Sequence, residues 1–254
     1  MSNKAWATLG RRPLLQWAAG AVIAAPLLTR FASAQNAGSA PASGTPMKIG
    51  VIGSGHIGGT VGGLWVKAGH PVLFSSRHPD ELKDMVAELG PLAKAGTPAE
   101  AASFGEVLLV AVPYGALPQV GRDLAGDLKG KVVLDACNAV PARDGEIATT
   151  AKDKGIGTLS QELLPGARVV RAFNTLNYRI LAKDAHRPGP PLAIPIAGND
   201  ADALRIAAGL VRDAGFEPVV VGPLARASEF ALGAPGAGKE VSAAELRQVL
   251  GLNP

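Results

Sequence analysis

Cysteine is almost missing from this chain: Cys137 is the only one in 254 residues, so no disulfide can form within it. The four histidines, His56, His70, His78 and His186, are scattered, and none has the partner spacing of a zinc site. No apolar run reaches the ~20 residues needed to cross a bilayer. The formal charge of +4 is also less informative than it looks, because Lys4, Arg11, Arg12 and Arg30 all precede residue 35 and no acid does. Setting that segment aside takes four of the 25 basic residues and none of the 21 acidic ones, leaving 21 of each. A neutral body lacks the electrostatic footprint of a nucleic-acid binder.

The segment set aside reads as an export signal, with paired Arg11 and Arg12, an apolar core from Pro13 to Leu28, and Ala32-Ser33-Ala34 as an A-x-A cleavage pattern. Arginine pairing, a mildly apolar core and Arg30 just after it suit the twin-arginine route, which predicts a periplasmic protein. Folding before export accords with the lack of disulfides. Cys137 itself reads as a small buried residue at a strand end.

Glycine and proline, 32 and 20 residues, are plentiful and punctuate the rest of the chain. Residues 35–46 form a small-residue linker with nothing to bury, and residues 225–254 a C-terminal extension. Between them, over 47–224, short apolar runs recur at KIGVIG, PVLFS, EVLLVAVP, KVVLDA, ARVVRAF, LAIPIAG and EPVVVG. Segments with helical spacing separate them: Ile57, Val61, Leu64, Trp65 and Ala68 line one face before Gly69. This alternation predicts an α/β, Rossmann-like, doubly wound and mostly parallel sheet in a single domain. The Pro-rich HRPGPP, 186–191, predicts a loop, and 242–250 a last amphipathic helix.

Gly53, Gly55 and Gly58 spell G-x-G-x-x-G between the first apolar run and the helix after it, the context a dinucleotide fingerprint requires. The amides around His56 and Ile57 would face an anion with the helix dipole behind them. A NAD site would place an acid at the end of the second strand. Here that strand ends in Ser75-Ser76-Arg77, and the first acid, Asp80, sits with Pro79 and Glu81 in the next helical turn. A hydroxyl and a guanidinium bind a 2′-phosphate that a carboxylate would repel. The cofactor expected is therefore NADP(H).

The runs GSGHIGGTVGGLWVKAGHPVLFSSR, AVPYGAL, LDACNAV, LPGARVVRAFNTL and IAGND resemble those of the F420-dependent NADP oxidoreductase family, over 47 to about 224. The same region is similar to the cytosolic reductase module of the STEAP metalloreductases, which moves hydride from NADPH to a flavin. The resemblance implies that Ser54, Gly55, His56 and Ile57 surround the pyrophosphate and that Ser76 with Arg77 holds the 2′-phosphate. It places Pro113 and Tyr114 beside the adenosine and ribose, and Asn138 and Ala172 near the nicotinamide.

Hydride transfer needs aligned rings more than it needs an acid or base, so no proton-transfer residue is nominated. Asp135 reads as structural, and Asn174 as the N-cap of the helix after Phe173. The function expected is an NADPH-dependent reductase passing hydride to coenzyme F420, a flavin or a similar small acceptor. The reading from a different class is a noncatalytic, exported dinucleotide-binding sensor or interaction module. A homo-oligomer is left open.

Overall fold

Each short apolar run folds into a strand because β-branched and aliphatic residues that alternate with helices can be buried on both faces. In the computed structural model, which describes residues 45–253, the strands are β1 Ile49–Ile52, β2 Val72–Ser75, β3 Ala93–Gly96, β4 Val107–Val110, β5 Val132–Asp135, β6 Arg168–Arg171, β7 Ala193–Gly198 and β8 Glu217–Gly222. They form one sheet of order β3-β2-β1-β4-β5-β6-β7-β8. All pairs are parallel except β6 with β7. The expected signal over residues 1–34 and nearly all of the expected linker lie outside the described residues.

The apolar runs mark seven of these strands and leave β3 unmarked. Its residues, AKAG, include no β-branched or aromatic side chain, and two of the four are buried. It forms on the sheet edge because β2 offers a free row of backbone groups, with Phe74 in register with Ala95. Pro195, which cannot donate to a ladder, lies in β7 but outside the two residues, Ala197 and Gly198, that pair with β6.

The helices are α1 His56–Lys67, α2 Lys83–Leu89, α3 Pro98–Phe104, α4 Leu117–Asp123, α5 Ala125–Leu128, α6 Pro141–Asp144, α7 Glu146–Lys154, α8 Ile156–Leu163, α9 Tyr178–Asp184, α10 Ala201–Asp213 and α11 Ala243–Val249. Residues of α1, α2, α9 and α10 close one core, and those of α3, α4, α5, α7, α8 and α11 the other. On the first face Phe173 meets Trp65 edge-on at 5.8 Å and Phe216 at 6.4 Å. Trp65 also donates Nε1–H to the Leu210 carbonyl at 2.7 Å, so a large ring is buried without stranding its polar atom.

Helix α11 starts in a capping box between Ser242 and Glu245, and Leu246 buries its apolar side. Ahead of it a 3₁₀ segment, Leu224–Phe230, buries Leu224, Ala227 and Phe230. Val221 and Leu224 share their core with Phe230 and Leu246, so the residues after 224 pack onto the sheet domain. No helix among the described residues is long and apolar enough to cross a membrane.

Candidate functional site

The C-terminal ends of β1, β2, β4, β5 and β6 share one rim, the edge at which open α/β sheets bind ligands. After β1 the chain turns at Gly53, whose φ of 94° is open to glycine at little cost. Ser75 stitches this turn to β2: its Oγ donates to the Val51 carbonyl at 2.7 Å, and its carbonyl accepts from Ser54 N–H at 3.1 Å. A side chain at Gly58 would run into the Gly53 carbonyl, so glycine there lets α1 start tight against the turn.

Helix α1 begins without a side-chain cap and without an acid in its first turn, leaving its opening amides and positive dipole end uncompensated by the chain itself. At Gly55 a Cβ would meet nothing within 4 Å, and Ser54 Oγ is buried with no partner among the described residues. Those features fit a pyrophosphate that takes up the amides and a backbone approach. Beside them opens a shallow cleft of ≈ 560 Å³ lined by Ser54, Gly55, His56, Gly59, Thr60, Met85 and Tyr178.

One wall of that cleft was not read from the sequence. The His56 ring stacks on Tyr178 with centroids 4.2 Å apart and planes 8° apart, and the Arg179 guanidinium lies 5.3 Å from the Tyr178 ring centre. The start of α9 therefore brings an aromatic plate and a cation to the phosphate turn. Only the run NYR, following AFNT, hinted at it.

At the end of β2, Ser76 is half-buried and its Oγ accepts from His78 N–H at 3.0 Å. Arg77 is exposed and makes no ion pair among the described residues. The nearest acid in sequence, Asp80, is held by Lys83 at 2.7 Å, which keeps its carboxyl below the usual range. The guanidinium is thus uncommitted, as a phosphate ligand would need to be.

After β4, Pro113 is exposed while Tyr114 is fully buried. The Tyr114 hydroxyl donates to the Ile156 carbonyl at 3.1 Å and lies 3.1 Å from Ser160 Oγ. Burial raises its pKa, and Ser160 opposes the rise. Its ring faces α8, so what Tyr114 offers the rim is backbone. The next residue, Gly115, donates its N–H to Asp144 at 3.1 Å, and Val140 donates to the same carboxylate at 2.8 Å. Burial works against that charge, but hydrogen bonds from Arg143, Val140 and Gly115 outweigh it and hold the Asp144 carboxyl at about 2. One carboxylate therefore staples the turn after β4 to the turn after β5.

The deepest part of the rim lies between β5 and β6. Asp135 and Arg171 are fully buried and paired at 2.6 Å, and Asp135 Oδ1 accepts from Cys137 N–H at 2.9 Å. This matches the structural reading of Asp135. Cys137 is buried, which pushes its thiol well above the ordinary pKa. Ala172 is fully buried and donates its N–H to the Asp135 carbonyl at 3.2 Å. Asn138 is half-buried and bridges to the β6 turn, its Nδ2 donating to the Asn174 carbonyl at 2.7 Å.

Asn174 does not cap the helix as the sequence suggested. The N-cap of α9 is Asn177, whose side chain accepts from Arg179 N–H at 2.9 Å. Both asparagines suit a cap, but Phe173 takes a φ of 59° and delays the helix by a turn. Asn174 instead donates Nδ2–H to the Phe230 carbonyl at 3.1 Å. Among the described residues no cluster of three or more His, Cys, Asp or Glu gathers to hold a metal.

The chain is similar to known proteins in sequence and in fold. Residues 48–139 match the family described as NADP oxidoreductase, coenzyme F420-dependent. A solved structure of a hypothetical protein from Sinorhizobium meliloti is 30% identical, with 78% of this chain and 96% of that one covered and a TM-score of 0.66. That of an F420-dependent NADP-reductase, so described as a putative one, from Arthrobacter sp. FB24 is 26% identical, with 72% and 87% covered and a TM-score of 0.62. Over residues 48–139 the chain carries the domain of the F420-dependent NADP oxidoreductase family. The rat metalloreductase STEAP3 is 28% identical over 188 residues, 72% of this chain. This chain spans 35% of that metalloreductase's length.

Proposed function

We propose that this protein is an NADP(H)-dependent reductase that passes hydride to a planar small-molecule acceptor: coenzyme F420, a flavin or a related ring. The carrying observation is the end of β2, where Ser76 and an unpaired Arg77 stand in place of an acid and Asp80 is already taken by Lys83. In this reading Arg77 and Ser76 hold the 2′-phosphate. The amides of Gly55, His56 and Ile57 hold the pyrophosphate, the backbone of Pro113 and Tyr114 borders the adenosine side, and Asn138 and Ala172 border the nicotinamide. The reduced cofactor, when bound, supplies the hydride.

The chain's own contribution is binding, alignment and exclusion of water, since hydride transfer needs aligned rings more than it needs an acid or base. Asp144 keeps two rim turns in register, and the stacked His56 and Tyr178 wall the phosphate end. We also propose export by the twin-arginine route, read from residues 1–34, which would carry out a folded protein with its cofactor already bound.

Purified protein should retain a nucleotide identifiable by mass spectrometry as NADP(H), and should oxidise NADPH in a screen of F420, FMN, quinones and ferric chelates. Tight NADPH binding with turnover on none of these would assign the chain to the noncatalytic binding class. Failure to bind NADPH would overturn the proposal outright.

A further inference from the structure

The two amides at the ends of β5 and β6 are committed in the same sense. Asn138 Nδ2 donates to the Asn174 carbonyl, and Asn174 Nδ2 donates to the Phe230 carbonyl. A carbonyl can only accept, so in each amide the nitrogen must face it and the oxygen must point elsewhere. Oδ1 of Asn138, Oδ1 of Asn174 and Oγ1 of Thr175 are all buried with no partner among the described residues. A buried acceptor left unpaired pays its full desolvation, and here three of them sit on the turns after β5 and β6, which the Asn138–Asn174 bond ties together. The backbone beneath is strained too. A bulky residue seldom adopts the left-handed region, yet Phe173 is held there with its ring fixed by Trp65 and Phe216. Strain of this kind persists where the surroundings enforce it and gathers at ligand sites.

We propose that Asn174, together with Asn138, is the positioning residue for the carboxamide of the nicotinamide ring. Two amide oxygens stripped of other partners match the two N–H groups of one primary amide. The edge of a flavin or deazaflavin is a poorer match, because it presents carbonyls on both sides of a single N–H and so demands donors. Each asparagine nitrogen already gives one of its two N–H groups to a backbone carbonyl, and of the three unpartnered groups the two amide oxygens can only accept, leaving the Thr175 hydroxyl as the one that can donate. Holding the carboxamide fixes the rotation of the ring and so which face it turns toward an acceptor. The inference rests on NADP(H) being the cofactor.

The test is a titration of the full chain with three ligands: NADP⁺, its 3-acetylpyridine analogue, which keeps the ring carbonyl but has no N–H, and 2′-phospho-ADP-ribose, which lacks the ring. Wild type should bind NADP⁺ about ten-fold or more tighter than the acetylpyridine analogue, the size of one or more unmet buried hydrogen bonds. In Asn174→Ala that ratio should fall to about two-fold or less, with 2′-phospho-ADP-ribose bound as in wild type. Should Asn174→Ala fail to fold, Asn138→Ala carries the same comparison. Equal binding of NADP⁺ and its analogue by wild type would overturn the assignment, as would a ratio that survives both substitutions. A chain that binds neither NADP⁺ nor 2′-phospho-ADP-ribose would refute the cofactor reading itself, and the assignment with it.

Discussion

Replacing Arg77 with alanine isolates the cofactor choice from the fold. The side chain is exposed and makes no ion pair among the described residues, so its removal breaks no internal contact, and the melting temperature should stay within the small range of ordinary surface changes. A hydrogen bond to a charged group contributes about 1.5–3 kcal/mol. Exposure to water and salt screening pull a surface guanidinium toward the lower figure. NADPH affinity should therefore drop about ten-fold at moderate salt, and more when the salt is low. NADH, which has no 2′-phosphate, should bind unchanged. Arg77→Lys should recover part of the loss, because it keeps the charge but not the planar fork. The assay is calorimetric or fluorescence titration of both cofactors into each variant. Equal losses for NADPH and NADH, or none for either, would refute the placement of the 2′-phosphate at the end of β2.

The geometry carries three further outcomes. Asp144→Asn should loosen both rim turns and lower stability at neutral pH; because the folded carboxyl sits at about 2, below its ordinary 3.8, its contribution is whole above about 4 and lost as pH falls toward 2. Thermal melts of variant and wild type should converge through that window, and a gap that persists at pH 2 would show that the carboxylate's charge is not responsible. Arg171→Met should destabilise by about 3–5 kcal/mol in denaturant titrations, since it strands the buried Asp135 carboxylate, and adding Asp135→Asn should restore part of the loss; a further loss in the double variant would contradict that cause. Gly58→Ala forces a methyl against the Gly53 carbonyl and should cost about 1–3 kcal/mol with a parallel loss of dinucleotide binding, so an alanine variant of unchanged stability and affinity would show that the turn has room to spare.

What could be read from the sequence was whatever a local pattern spells out. The glycine turn, seven strands and the Ser76-Arg77 ending each depend on residues within a few positions of one another, so periodicity and turn chemistry exposed them. The edge strand β3 escaped because AKAG has no strand-forming side chains and exists by virtue of its neighbour β2. Asn174 was misread because NTLN offers two candidate caps, and the choice between them is made by the left-handed Phe173, whose conformation is imposed by rings from α1 and just ahead of β8. The buried Tyr114 ring and the His56–Tyr178 stack are contacts between elements far apart in the chain. No spacing rule encodes those.

The Phe230 carbonyl that orients Asn174, and the Gly238 amide that donates to the Thr175 carbonyl, leave the ribosome after every strand of the sheet. A nascent chain can thus assemble its entire sheet while the corner at Asn174 and Thr175 still lacks its backing, and full grip on a ligand at that corner would come only once residues 230–238 are in place.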